Sequence, residues 1–171
     1  MWCFKKLGIF CAFSLLLSQC TFHPLYKVED RGAVFEDLSK IKINTIEGRL
    51  GQMMRNALLK RITPKGQVKE SSYTLTVALS FSDRDLGIAK DATSTQSEVT
   101  LVATYVLKDC RTGEVLYQGK ESESSDYDVL TTSYYSNLVS KENAKEGLVE
   151  WVANLIELSL ADYFTSTKRS V

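Results

Sequence analysis

Tyr73-Thr-Leu-Thr-Val-Ala-Leu-Ser-Phe81 decides the fold, together with its echo Val99-Thr-Leu-Val-Ala-Thr-Tyr-Val-Leu107. In the first stretch Tyr73, Leu75, Val77, Leu79 and Phe81 alternate with Thr74, Thr76, Ala78 and Ser80; in the second Val99, Leu101, Ala103, Tyr105 and Leu107 alternate with Thr100, Val102, Thr104 and Val106. Successive strand side chains point to opposite faces, so each stretch makes a strand with one apolar side and one Thr-rich side. A sheet covered on one face and wet on the other follows.

The polar residues between the two strands, Ser82 to Ser97, are too many for a plain hairpin and either project from the sheet or extend its strands. After Leu107, Lys108-Asp-Cys-Arg-Thr-Gly113 reads as a compact turn, with Gly113 free to take a positive φ. A further strand returns from Glu114 to about Gly119. Residues 120 to 139 carry mostly Ser and acidic side chains at first, then Tyr134 and Tyr135, and read as extended segment or surface loop. Ser140 is expected to cap a final helix, whose broad apolar face runs through Ala144, Leu148, Trp151, Val152, Leu155, Ile156, Ser159, Leu160 and Tyr163.

Working back from Tyr73, Gly48 to about Ile62 reads as a helix that buries Leu50, Met53, Met54, Ala57, Leu58 and Ile62. Pro64 and Gly66 end it. Before it, Ile41 and Ile43 alternate with Lys42 and Asn44 in a short strand that begins at about Lys40. Residues 20–38 have no sustained period and read as a flexible tether, so the single folded domain is expected over residues 39–171.

The first residues form a lipoprotein-type signal. Lys5 and Lys6 give a positive start, Leu7 to Leu17 a short apolar run, and Ser18-Gln19 precede Cys20. The run is too short for the roughly 20 apolar residues of a membrane-spanning helix. Residues 1–19 would be removed, and Cys20 would become the lipidated first residue. Gln19 stands where such signals usually carry Gly, Ala or Ser, and the competing reading is an ordinary secretory signal. Cleavage would reduce the 171 residues to 152, and loss of two lysines would leave 19 basic against 21 acidic residues. This near-neutral balance lacks the basic footprint of a nucleic-acid binder. Cys3 and Cys11 would leave with the signal, so Cys110 has no partner for a disulfide within the chain and reads as buried and inert, pairing between chains being the competing reading.

Catalytic patterns are missing. The single histidine, His23, lies in the tether, away from any rigid partner that could orient it as a base. No phosphate-cradling glycine loop and no metal-ligand spacing occur, and the chain reads as a non-enzyme with no cofactor or metal.

The order of motifs resembles the LptE family of lipopolysaccharide-assembly lipoproteins, in its alphaproteobacterial form. The resemblance is carried by Cys20-Thr-Phe-His-Pro-Leu-Tyr26, Ile43-Asn-Thr-Ile-Glu-Gly-Arg-Leu-Gly-Gln52, Arg55-Asn-Ala-Leu58 and Tyr73-Thr-Leu-Thr-Val77. Leu86-Gly-Ile-Ala-Lys-Asp-Ala-Thr93, Tyr105-Val-Leu-Lys-Asp109, Lys141-Glu-Asn-Ala144 and Tyr163-Phe164 follow. It implies an α+β fold: two helices packed on one face of a four-stranded, mostly antiparallel mixed sheet. It also implies an outer-membrane lipoprotein anchored on the periplasmic face. That protein would sit in the lumen of the LptD β-barrel, aid its assembly and receive lipopolysaccharide on its way to the outer leaflet.

Lipopolysaccharide carries phosphates and acyl chains, so a useful contact joins a cation to an apolar strip. Arg84, Lys90, Lys108 and Arg111, near strand ends, are the candidates; a solvated loop charge is the competing reading for each. Gln96 stands where the family often has an arginine. The alternative function is a periplasmic structural lipoprotein bound to peptidoglycan or an envelope scaffold.

Overall fold

The computed structural model describes residues 28–64, 66, 70–88, 94–130 and 133–169. The signal, the lipidation candidate Cys20, the first part of the tether and Lys90 lie outside them. The compact unit Gly32–Val171 holds the sheet and its covering helices. The elements are α1 (Val28–Ser39), β1 (Ile41–Ile43), α2 (Gly48–Ile62), β2 (Tyr73–Ile88), β3 (Ser94–Asp109), β4 (Val115–Leu130) and α3 (Tyr134–Arg169).

The sheet order is β1-β2-β3-β4, with β1 parallel to β2 and the other neighbours antiparallel. This is the expected α+β fold. A parallel neighbour needs a crossover, and α2 supplies it between β1 and β2. Ile41 and Ile43 anchor β1, while Met54, Ala57, Leu58 and Ile62 form the buried stripe of α2. The helix ends where Thr63 donates its backbone N–H to the Leu59 carbonyl at 2.9 Å and its hydroxyl to the same oxygen at 3.1 Å. On the sheet, Leu75, Val77, Val99, Leu101, Ala103, Tyr105 and Leu107 are buried against the helices, as the alternation requires. From α3, Leu148, Val149, Val152, Ala153, Ile156, Leu160 and Phe164 complete the core.

Several boundaries differ from the sequence reading. The Ser82–Ser97 stretch takes the second of its two expected forms and extends the strands: β2 reaches Ile88 and β3 starts at Ser94. Residues 120–139, expected as extended segment or surface loop, are strand as far as Leu130, because every residue from Tyr117 to Leu130 has a register partner on β3. The last helix begins at Tyr134, six residues before Ser140. Its start is held by Asn137, whose side-chain amide accepts the Leu130 N–H at 2.7 Å and donates to the Leu130 carbonyl at 2.8 Å. Trp151, expected on the core face, is 57% exposed, since Leu148 and Val152 take the inward positions. Helix α1 occupies the end of the expected tether, with Val34 and Leu38 in the core cluster. Cys110 is exposed, not buried; it sits in the β3–β4 turn, its Sγ 2.9 Å from the Thr74 hydroxyl.

At 3.3 Å per residue the sixteen residues of β2 span roughly 53 Å, and at 1.5 Å per residue the thirty-six of α3 span roughly 54 Å. The helix therefore has the length to accompany the whole sheet, yet its core residues begin only at Leu148. One half of the molecule is packed. The other half is a long, thinly covered extension.

Candidate functional site

The three cationic candidates among the described residues, Arg84, Lys108 and Arg111, do not come together. Lys108 is paired in register with Thr74, and Arg84 lies ten residues further along the same strand. That separation is about 33 Å, too far for one headgroup to bridge. Lys108 and Arg111 sit at the turn end. There Asp109 accepts backbone N–H bonds from Arg111 at 2.7 Å and Thr112 at 2.9 Å. Those bonds, Thr112's first, hold the Asp109 carboxyl below its usual range. Gly113 closes this turn at φ +74°, a conformation that a side chain would strain. The result is a rigid hairpin turn.

Arg84 stands at the opposite, distal end, where chemistry is more concentrated. Its guanidinium lies 2.9 Å from Glu98 across the β2–β3 ladder and its side chain is 70% exposed. Nearby on β2, Asp83 accepts a hydrogen bond from Lys141 of α3 at 2.8 Å, which raises the lysine pKa. Lys145 lies over the Phe81 ring, 5.8 Å from its centroid. Arg49 at the start of α2 donates to Glu142 at 2.8 Å and to Glu146 at 2.6 Å, which ties α2 to this part of α3. Lysine and arginine donors on α3 and β2 thus form a row of ion pairs along the distal half.

Apolar groups accompany them. Leu86, Leu130, Leu138, Tyr134 and Tyr135 are all exposed, the two tyrosines at 85% and 75%. They belong to the far end of β2, the end of β4 and the first turns of α3. The Asn137–Leu130 and Lys141–Asp83 bonds bring those three segments to one end. Cations beside exposed apolar and aromatic side chains are what a phosphorylated, acylated ligand requires. Sequence reasoning found Arg84 but missed Lys141, Tyr134 and Tyr135 as members of this end. The signal was present as an aromatic pair with no apolar period to bury it.

Among the described residues no group of three or more His, Cys, Asp or Glu is placed to hold a metal ion. No described helix is long and apolar enough to cross a membrane. The outward side of the sheet carries Thr76, Ala78, Ser80, Thr104, Gln118, Lys120, Ser122 and Ser124, all exposed.

A family model described as LptE, lipopolysaccharide-assembly, matches residues 37–157. Among solved structures, a Caulobacter crescentus protein described as a lipoprotein superposes with a TM-score of 0.63 at 23% identity, covering 79% of this chain and 98% of that one. Rare lipoprotein B from Shewanella oneidensis gives a TM-score of 0.59 at 12% identity, over 75% of this chain and 98% of that one. A minor lipoprotein from Acinetobacter baumannii gives 0.55 at 12%, over 72% and 92%. At these identities the likeness is one of fold. No curated protein matches the sequence significantly.

Proposed function

The chain belongs to the LptE lipopolysaccharide-assembly family, and from that membership we propose that it is an outer-membrane lipoprotein working with an LptD-type β-barrel. The family match over residues 37–157 is the observation that carries this reading. In it, Cys20 is lipidated and holds the chain at the periplasmic face of the outer membrane. The folded domain lies in the barrel lumen, helps the barrel assemble, and assists lipopolysaccharide to the outer leaflet. Its role is binding and positioning, without catalysis.

Physical features fit the role. A barrel lumen is wet, so a plug needs a largely polar exterior, and the Ser/Thr-rich open sheet face supplies one. At the distal end Arg84 and Lys141 are held by Glu98 and Asp83, and a phosphate can exchange with a carboxylate for either cation. Leu86, Leu138 and the tyrosine pair offer apolar surface for acyl chains. Lys90 lies outside the described residues. Lys108 and Arg111, at the other end, stand too far away to share that contact.

The test is recovery of the tagged protein from gently solubilised membranes, with mass spectrometry of its companions and of its N-terminus. A large β-barrel in near-equal amount and an acylated Cys20 are the expected results. Recovery of cell-wall components with the barrel left behind would replace this reading with an envelope scaffold.

A further inference from the structure

β4 is the last strand of the sheet, and among the described residues no strand lies beyond it. Its register with β3 is unbroken from Tyr117 to Leu130, with no proline and no bulge in that stretch. Main-chain groups alternate in direction along a strand, so every second residue turns its N–H and C=O to the free edge. The Asn137 side chain takes both groups of Leu130. From Gln118 to Asp128 no other described group takes them. A long, straight edge of this kind is a template for another strand unless something blunts it.

Two neighbours decide what would bind. Asp126 stands opposite Glu98, and Asp128 opposite Gln96. Neither aspartate has an ion pair among the described residues, and a like charge directly across a ladder is unfavourable. On the helix-facing side, Ser159 donates to Glu121 at 2.8 Å and Tyr163 stacks on Tyr117 at 5.1 Å, so one row of α3 follows β4. Residues four apart share a helix face. Leu155 and the 57% exposed Trp151 therefore continue that row along the edge.

We infer that the outer edge of β4 accepts an added strand from another protein, an extended segment alternating apolar side chains with Lys or Arg. Main-chain bonds supply the affinity, the apolar side chains pack on Trp151 and Leu155, and the cations meet Asp126 and Asp128. A second copy of this chain is the weaker occupant, because β4 offers one cation, Lys120, against Glu121, Glu123, Asp126 and Asp128. The inference stands on the edge itself and holds whichever envelope partner the protein serves.

The test uses the full-length protein in detergent and a synthetic peptide of about ten residues alternating Val with Lys, near the upper length of ordinary strands. Its comparison peptides carry Glu for Lys, or N-methyl groups along one backbone edge. The Val–Lys peptide should bind and slow amide exchange over Gln118–Asp128. N-methylation, or the surface double variant D126K/D128K, should weaken binding by at least about tenfold. The double variant should then favour the Glu peptide. Equal binding of the N-methylated peptide, no binding, or protection elsewhere on the sheet would overturn the inference. So would a concentration-dependent dimer that protects β4 without any peptide.

Discussion

The two halves of this molecule use the same elements for opposite ends. Near the turn, β2 and β3 bury Leu75, Val77, Leu101 and Leu107 under α2 and the C-terminal part of α3. In the distal half, β2 residues 82–86 are exposed, β4 carries Glu121, Glu123 and Ser125 at helix-facing positions, and α3 contributes ion pairs where it could have placed leucines. A chain that only needed to fold could stop its strands at Phe81 and Val99. The extension is held by register, by Asn137 and by charge, and these leave a surface able to exchange partners. Buried apolar packing is concentrated in one half and exposed ion pairs in the other.

The sharpest way to break this contrast is to truncate one leucine in each half. Leu101→Ala should cost about 2–5 kcal/mol of folding stability, as buried large-to-small changes do. Leu138→Ala, 47% exposed, should stay within about 0.5 kcal/mol. Denaturant unfolding of both variants measures the difference, and comparable losses would mean that the distal half is as tightly packed as the core.

A smaller effect is expected where the halves meet. A Cβ at Gly119 would collide with the Tyr105 ring carbon and hydroxyl. Gly119→Ala should therefore destabilise by about 1–3 kcal/mol through overpacking, visible as a shifted denaturant midpoint. Tyr105 also donates its hydroxyl to Glu121 at 3.2 Å, and Glu121 keeps a second donor in Ser159. Tyr105→Phe should cost nearer 1 kcal/mol, because the remaining carboxylate is not orphaned.

The smallest effect concerns the ion pairs. Hydrogen bonds from Lys145 first, then Arg49, hold the Glu142 carboxyl below its ordinary range. A depressed acid pKa adds stability above the unfolded value and loses it as pH falls through the folded one. Acidification should therefore loosen α2 from α3, and Arg49→Ala should flatten that part of the pH–stability curve. Thermal unfolding across the acid range checks this, and high salt should shrink the wild-type effect because these pairs face water.

The packed half was legible in the sequence for a plain reason: one-sided burial forces a period of two at Tyr73–Phe81 and Val99–Leu107. The same logic hid the distal half. Glu121-Ser-Glu-Ser-Ser-Asp-Tyr-Asp128 has no apolar alternation, since main-chain pairing to β3 keeps it extended without burying much. The helix start at Tyr134 was hidden likewise, because its first turns expose Tyr134, Tyr135 and Leu138 and are fixed by Asn137 seven residues from its partner. The candidate site was legible by residue type and not by place. Arg84, Lys108 and Arg111 all sit near polar stretches, but only the register shows that a strand's length separates the first from the others.

The position of α3 after the strands has a consequence for the order of synthesis. The strands that carry Leu75, Leu101 and Leu107 are complete before the residues from Leu148 to Phe164 leave the ribosome. Until those last turns arrive, the greasy side of the sheet has only α2 and α1 to cover it. A chain held at this stage, whether on the ribosome or during export, presents that apolar face, the kind of species that holding chaperones recognise and that aggregates when they are scarce. The final helix acts as the latch of the fold, and a chain stopped short of Leu148 would be caught in that open stage.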